Sequence, residues 1–127
     1  MLLTLRGDAD SPLYQQIMDQ IKAQVAAGTL KKRDRLPSVR ELAQELEINV
    51  NTVYKAYREL ESQGVLRMRV GQGATIVAGR GSRLRKGDRE RIIRDMIEKL
   101  QVEAYHLGFN SEYLIELLRQ KPKEQNQ

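Results

Sequence analysis

Between Ser38 and Gly64 two short amphipathic helical patterns follow one another with only Glu47 to Asn49 between them, a break that leaves room for nothing but a tight turn. Ser38-Val39-Arg40-Glu41 has the S-x-x-E form in which serine and glutamate side chains satisfy backbone amides at a helix start. Leu42, Ala43 and Leu46 then give the first helix one apolar face. The second is expected to begin near Asn49 to Asn51 and to run to about Gln63, with Gly64 where a left-handed cap is required. At about 100° per residue, Val53, Ala56, Tyr57 and Leu60 fall on one side of it, and Asn51, Thr52, Tyr54, Lys55, Arg58 and Ser62 on the other. One side packs and the other can read a ligand.

The flanking segments complete an architecture. Met1 to Arg6 reads as a short extended arm, and Asp8, Asp10 and Ser11-Pro12 supply an N-cap and a first-turn proline for another helix. In that helix Leu13, Ile17, Ile21 and Val25 repeat at spacings of four, with Tyr14 and Met18 beside them, which predicts a buried stripe ended by Gly28. Lys31 to Arg35 reads as a basic connector. Val65 to Val70 and Ala74 to Ala78 are rich in β-branched residues and flank Gly71-Gln72-Gly73, the pattern of a hairpin with a glycine-bearing turn. Three helices and then a hairpin is the winged helix order.

Beyond it, Gly79 to Gly87 has no apolar periodicity and reads as a flexible basic linker. Asp88 is expected to cap a longer helix whose stripe is Ile93, Met96, Ile97, Leu100, Ala104 and Leu107, closed by Gly108. A last short helix after Asn110 or Ser111 places Leu114, Leu117 and Leu118 on one side. Two such helices are too few to sustain a core alone, so they need a partner surface. The predicted fold is mainly α with a small β-hairpin wing: a winged helix-turn-helix over residues 1–79, a linker over 80–87, a two-helix C-terminal appendage over 88–120 and a frayed tail over 121–127.

Composition removes several function classes. The 127 residues fit one compact domain plus a short appendage, leaving little room for an enzyme domain. With no cysteine and one histidine, disulfides, thiolate catalysis, Cys-ligated zinc and a multi-histidine metal site are excluded. Gly71-Gln72-Gly73 lacks the further glycine of a dinucleotide loop and the GK[ST] of a P-loop, and no pair of carboxylates stands out, so neither a cofactor nor an enzyme is expected. No apolar stretch is long enough for a membrane span or a signal peptide, which points to a soluble cytoplasmic protein. The formal charge of +5 favours a polyanionic partner.

The stretch Leu36-Pro37-Ser38-Val39-Arg40-Glu41-Leu42-Ala43, then Asn49-Val50-Asn51-Thr52-Val53-Tyr54-Lys55-Ala56-Tyr57 and Leu60-Glu61-Ser62-Gln63-Gly64, closely resembles the DNA-binding domain of the GntR family. The likeness continues through Gly71 and Gly73 and covers roughly residues 10 to 78. Glu103-Ala104-Tyr105-His106-Leu107-Gly108 before a Leu-rich helix is similar to the YtrA-type subfamily, whose members carry only a small dimerising appendage. One departure is Val50, where that subfamily commonly has proline. The resemblance implies a transcription regulator, a repressor by preference, that binds double-stranded operator DNA as a homodimer, with a small-molecule effector left open. A non-regulatory adaptor using the same winged fold is the alternative. Some relatives fuse this head to an aminotransferase-like domain, for which the tail is too short.

In helix-turn-helix proteins the second helix enters the major groove N-terminus first. Here that end offers Asn49, Asn51, Thr52 and Lys55. Asparagine can pair with adenine through two hydrogen bonds, threonine can meet a thymine methyl, and lysine can address guanine or phosphate. Asn49 also suits a purely capping role. Arg40 is assigned a DNA contact from the family position it matches, and Ser38, Tyr54 and Arg58 are grouped with it. Lys32 and Arg35 in the connector and Arg67 and Arg69 in the wing are candidate phosphate clamps on either side of the reading helix. Gly71 and Gly73 mark the wing tip. In the tail the candidate dimer interface is Ile93, Met96, Ile97, Leu100, Ala104, Leu107, Leu114, Leu117 and Leu118, with His106 structural or interfacial.

Overall fold

The computed structural model describes residues 2–77 and 85–120, which fall into two compact units, a head over residues 2–77 and a tail over residues 85–120. The head runs α1 (Leu13–Ala27), β1 (Arg35–Leu36), α2 (Val39–Leu46), α3 (Val50–Ser62), β2 (Leu66–Arg69) and β3 (Gly73–Ile76). The tail holds α4 (Lys86–Leu107) and α5 (Ser111–Leu118). This is the expected mainly helical fold with a small wing. No helix among the described residues is long and apolar enough to cross a membrane.

Helix α1 forms where its periodicity places it, but its start and its buried face differ from expectation. Pro12 is itself the N-cap residue, in extended conformation, and no side chain caps the helix. Ser11 instead gives its carbonyl to Gln16 Nε2 at 2.9 Å. Ile17, Met18 and Ile21 are buried as predicted, yet so are Gln16, Gln20 and Gln24, one helical turn apart. These three amides hold the N-terminal arm. Gln20 accepts from Thr4 N at 2.9 Å and donates to Thr4 O at 2.6 Å. Gln16 does the same for Arg6 at 2.8 and 2.9 Å, and Gln24 donates to Leu2 O at 2.8 Å. The spacings agree: four helical residues rise about 6.0 Å and two extended residues about 6.6 Å, so every second arm residue meets the next glutamine. Leu3 and Leu5 are turned onto the core.

The three strands form one antiparallel sheet in the order β1-β3-β2. Strand β1 falls in what the sequence presents as a connector; two residues are too few to show a period. It pairs Arg35 with Thr75 and Leu36 with Ala74. The hairpin differs from expectation: Val65 precedes β2, Val70 lies fully exposed in the turn, Gly73 opens β3 one residue early and Ile76 ends it, while Ala78 lies outside the described residues. Gly73 has φ +79, and a Cβ there would sit 2.5 Å from Leu36 O, so β1 approaches too closely for any other residue. The sheet's inner face, with Leu36, Leu66 and Ile76, closes a core built from Ile17, Ile21, Leu42, Val53, Tyr57 and Leu60.

In the tail, α4 begins earlier than Asp88. Arg85 is its N-cap without a side-chain bond, so Lys86 and Gly87, predicted as linker, are helical. Asp88 sits in the first turn, where a carboxylate meets the positive end of the helix dipole, and binds Arg91 at 2.9 Å. Gly108, with φ +87, ends the helix as expected, and Asn110 caps α5 by accepting from Tyr113 N at 2.9 Å. The rest of the predicted linker, 80–84, and the predicted frayed tail, 121–127, lie outside the described residues.

Candidate nucleic-acid interface

The reading head is fixed at both ends of the α2–α3 turn. At the start of α2, Ser38 Oγ accepts from Glu41 N at 3.1 Å while Ser38 N donates to Glu41 Oε1 at 2.9 Å, the reciprocal box that the sequence spells. Hydrogen bonding to its carboxyl, chiefly from the Ser38 backbone amide and then from the Ser38 side chain, holds Glu41 below the usual carboxylate range. Glu47 ends α2 in left-handed conformation, φ +56, and Ile48 N returns to Ala43 O at 3.0 Å, which closes the turn within the predicted residues. Asn49 then caps α3 by accepting from Asn51 N at 2.7 Å, so the capping reading of Asn49 describes its side-chain oxygen. Val50 occupies the first helical position, where proline is well suited. With Asn49 already satisfying the amide of Asn51, the helix starts there without proline.

Helix α3 separates its faces as its sequence does. Val53, Ala56, Tyr57 and Leu60 are completely buried. Asn51, Tyr54, Lys55 and Arg58 are exposed, Thr52 is half-buried beside them, and Arg40 is exposed in the first turn of α2. Tyr57 Oη donates to Pro37 O at 2.8 Å and ties α3 to the residue leading into α2. Burial pushes its phenol pKa up, aided by the nearby negative charges of Glu45 and Glu41. Lys55 Nζ lies 4.0 Å above the Tyr14 ring, a cation–π contact that favours this placement of the side chain. The sequence shows Tyr14 only as an apolar position on α1, and no spacing rule joins it to residue 55. The guanidinium of Arg58 stands 5.9 Å from the Tyr54 ring.

The basic clusters are arranged differently from the prediction. Arg35 and Arg67 do not stand on opposite sides of the reading helix: both pair in register with Thr75, in β1 and β2 on either side of it. Arg69 pairs with Gly73 two residues along, on the same face. Lys31, Lys32 and Arg33 are exposed in the turn before β1, where Arg33 N donates to Ile76 O at 2.9 Å with φ +79. Gly71 is exposed at the tip, whereas Gly73 is buried and its lack of a side chain serves the packing of β1. Glu61, which the sequence marks only as part of the family-like stretch and gives no role, accepts from Met68 N at 2.9 Å and joins the end of α3 to β2. Among the described residues the ion pairs are Lys86–Glu90 and Arg91–Asp88, both on α4, so no arginine of the head is matched to a carboxylate there.

In the tail, Ile93, Met96, Ile97, Leu100, Leu107, Leu117 and Leu118 are exposed at 43–69% and Leu114 is half-buried. Ala104 differs from its neighbours in the stripe: at 4% exposure it is already covered within the single chain. His106 is exposed and meets the Tyr105 ring edge-on at 5.4 Å. No group of acidic residues and histidine among the described residues could hold a metal ion.

Comparison with known proteins agrees with this geometry. Residues 13–76 match the model of bacterial regulatory proteins, gntR family. The HTH-type transcriptional repressor YtrA of Bacillus subtilis is 36% identical over 88% of this chain and 85% of its own. A crystal structure described as a transcriptional antiterminator from Listeria monocytogenes superposes with a TM-score of 0.77 at 31% identity, covering 94% of this chain and 88% of that one. YtrA from Sulfolobus acidocaldarius, a GntR-family transcription factor, gives a TM-score of 0.59 at 32% identity over 77% and 99% of the two chains. A capped reading helix with a polar outer face, a sheet wing and a short helical tail, matched by these relatives over both parts of the chain, make it a member of the GntR family, of the YtrA type: a winged helix-turn-helix DNA-binding regulator of transcription.

Proposed function

We propose that the chain is a cytoplasmic repressor that binds a pseudo-palindromic operator as a homodimer. The observation that carries the dimer is the tail itself, whose α4 and α5 leave Ile93, Met96, Ile97, Leu100, Leu117 and Leu118 facing solvent. That many exposed apolar side chains on a short helical pair call for a second surface, and a two-fold copy of itself supplies one. A two-fold dimer presents two α3 helices to half-sites about one DNA turn apart, roughly 10 base pairs centre to centre or a multiple of that.

Within each half-site Asn51 pairs with adenine, Thr52 meets a thymine methyl, and Lys55 addresses guanine or phosphate. Arg40, Ser38, Tyr54 and Arg58 hold the adjoining backbone. Asn49 caps the helix and leaves its amide nitrogen for the groove. Lys32, Arg35, Arg67 and Arg69 bind phosphates, and Gly71 lets the wing tip approach. A small-molecule effector would act by changing how far apart the two heads are held.

The experiment compares the full chain with one truncated after Gly79, by sedimentation equilibrium and by titration of the DNA footprinted upstream of its own gene. The expected result is a dimer for the full chain and a folded monomer for the truncated one. Operator affinity should fall steeply in the truncated chain because the second head no longer binds at high effective concentration. A truncated chain that stayed dimeric, or bound as tightly, would remove the role given to the tail.

A further inference from the structure

The outward face of the three-stranded sheet carries Arg35, Thr75 and Arg67 side by side, one from each strand, in a single row of cross-strand pairs. Both arginines are exposed, Thr75 is half-buried between them, and the opposite face, with Leu36, Ala74 and Ile76, is buried. With strands about 4.8 Å apart, the two arginine Cα atoms stand roughly 10 Å from one another, well within reach of two long side chains leaning toward a common point. Neither guanidinium is paired with a carboxylate among the described residues. An anion placed above the threonine would be attracted by both guanidiniums and could accept from the hydroxyl between them.

We propose that Arg35, Thr75 and Arg67 form one phosphate-binding row, in which both guanidiniums and the Thr75 hydroxyl converge on a single phosphodiester of the DNA backbone beside the wing. This rests on the reading of the head as DNA-binding and goes further in two ways. It assigns Thr75, which no sequence motif marks, and it joins a connector residue to a wing residue in one site. The chemistry fits a phosphodiester well: a guanidinium offers planar paired donors, and the hydroxyl supplies a third donor between them. Duplex DNA is the favoured source of that phosphate because the row continues into Arg69 and the wing tip on the same sheet. The fold holds the row rigidly, since β1 is pressed against Gly73 and Arg33 N and Ile76 N bond across to Ile76 O and Asp34 O at 2.9 Å.

One shared phosphate and two separate ones give different salt dependences. Each phosphate neutralised contributes about 0.9 to the slope of log K against log salt. The experiment measures that slope for full-length wild type and for Arg35→Ala, Arg67→Ala, the double variant and Thr75→Val on the same operator duplex. A shared phosphate predicts a small change in slope for either single variant and a total loss of about one unit in the double. It also predicts that Thr75→Val weakens binding several-fold in the wild-type background and has no effect in the double. A loss of about two units, with the single effects multiplying, would assign the arginines to separate phosphates and overturn the row. An unchanged slope in the double variant would overturn it as well, and would turn the search to an RNA or an acidic protein as the anion. Asn51→Ala, measured alongside, separates this failure from failure of the DNA-binding reading: if Asn51→Ala loses operator affinity while the row variants do not, the head reads DNA and the sheet face does not touch it. Thermal midpoints check that every variant is folded.

Discussion

Tyr57 Oη donates to the carbonyl oxygen of Pro37 at 2.8 Å, across twenty residues of sequence and from the buried face of the reading helix. The bond fixes where α3 lies against the start of α2, and therefore where Asn51 and Arg40 stand relative to one another. Tyr57→Phe keeps the ring and removes the donor, and is expected to cost about 1 kcal/mol of unfolding free energy, read from a denaturant midpoint. The same bond predicts alkaline sensitivity. Burial keeps the folded phenol protonated above the pH near 10 at which an unfolded tyrosine ionises, so this contribution is fully present below about pH 10 and declines as pH rises, by up to about 1.4 kcal/mol per pH unit. The decline should be absent in Tyr57→Phe; an identical alkaline limb in both proteins would sink the assignment.

The arm offers a second test. Gln20 both accepts from and donates to Thr4, a pair of roles that a carboxylate cannot fill. Gln20→Glu should destabilise the head by about 1–3 kcal/mol at neutral pH, because the Thr4 carbonyl loses its donor and faces an oxygen. Protonation restores a donor, so the folded pKa of the new carboxyl is raised and the lost stability should return as pH falls toward about 4. A deficit independent of pH would mean that the arm is held by Leu3 and Leu5 alone.

The proposed base-reading and backbone-holding roles predict different outcomes for variants of α3 and of the basic clusters. Asn51→Ala should cost about 1–3 kcal/mol on the cognate operator and relax base preference, with little change on random DNA. Equal loss on both would make Asn51 a backbone contact.

Lys32→Ala and Arg69→Ala should instead weaken all sequences alike and lower the salt slope by roughly one unit for each phosphate that is no longer neutralised. Unchanged slopes would return both to ordinary solvated surface charge.

The helices and the turn between α2 and α3 were legible because their signals are local: the Ser38–Glu41 box, the apolar face of α3, and the glycines at 28, 64 and 108. What the sequence hid is long-range. Gln16, Gln20 and Gln24 look like a polar surface until an extended arm is laid along them. Strand β1 exists only as the partner of β3, so the sequence presents Arg35 as part of a connector although it pairs with Thr75. Asp88 is the obvious cap of α4 by residue type, yet the backbone begins the helix at Lys86 with no cap side chain. In the candidate site the outward residues of α3 followed from a helical wheel. The Lys55–Tyr14 and Glu61–Met68 contacts needed the packing of separate elements.

Gly73, pressed against Leu36 O, also decides which part of the wing can adapt to DNA. Over Gly73–Ile76 the hairpin is held against β1, and tilting it would break the pairing of Arg35 with Thr75 and of Leu36 with Ala74. Val70, Gly71 and Gln72 are free of that clamp, and a side chain at Gly71 would meet nothing within 4 Å. Any adjustment of the wing to a partner surface falls to these three residues, a short tip on a stalk that β1 holds in place.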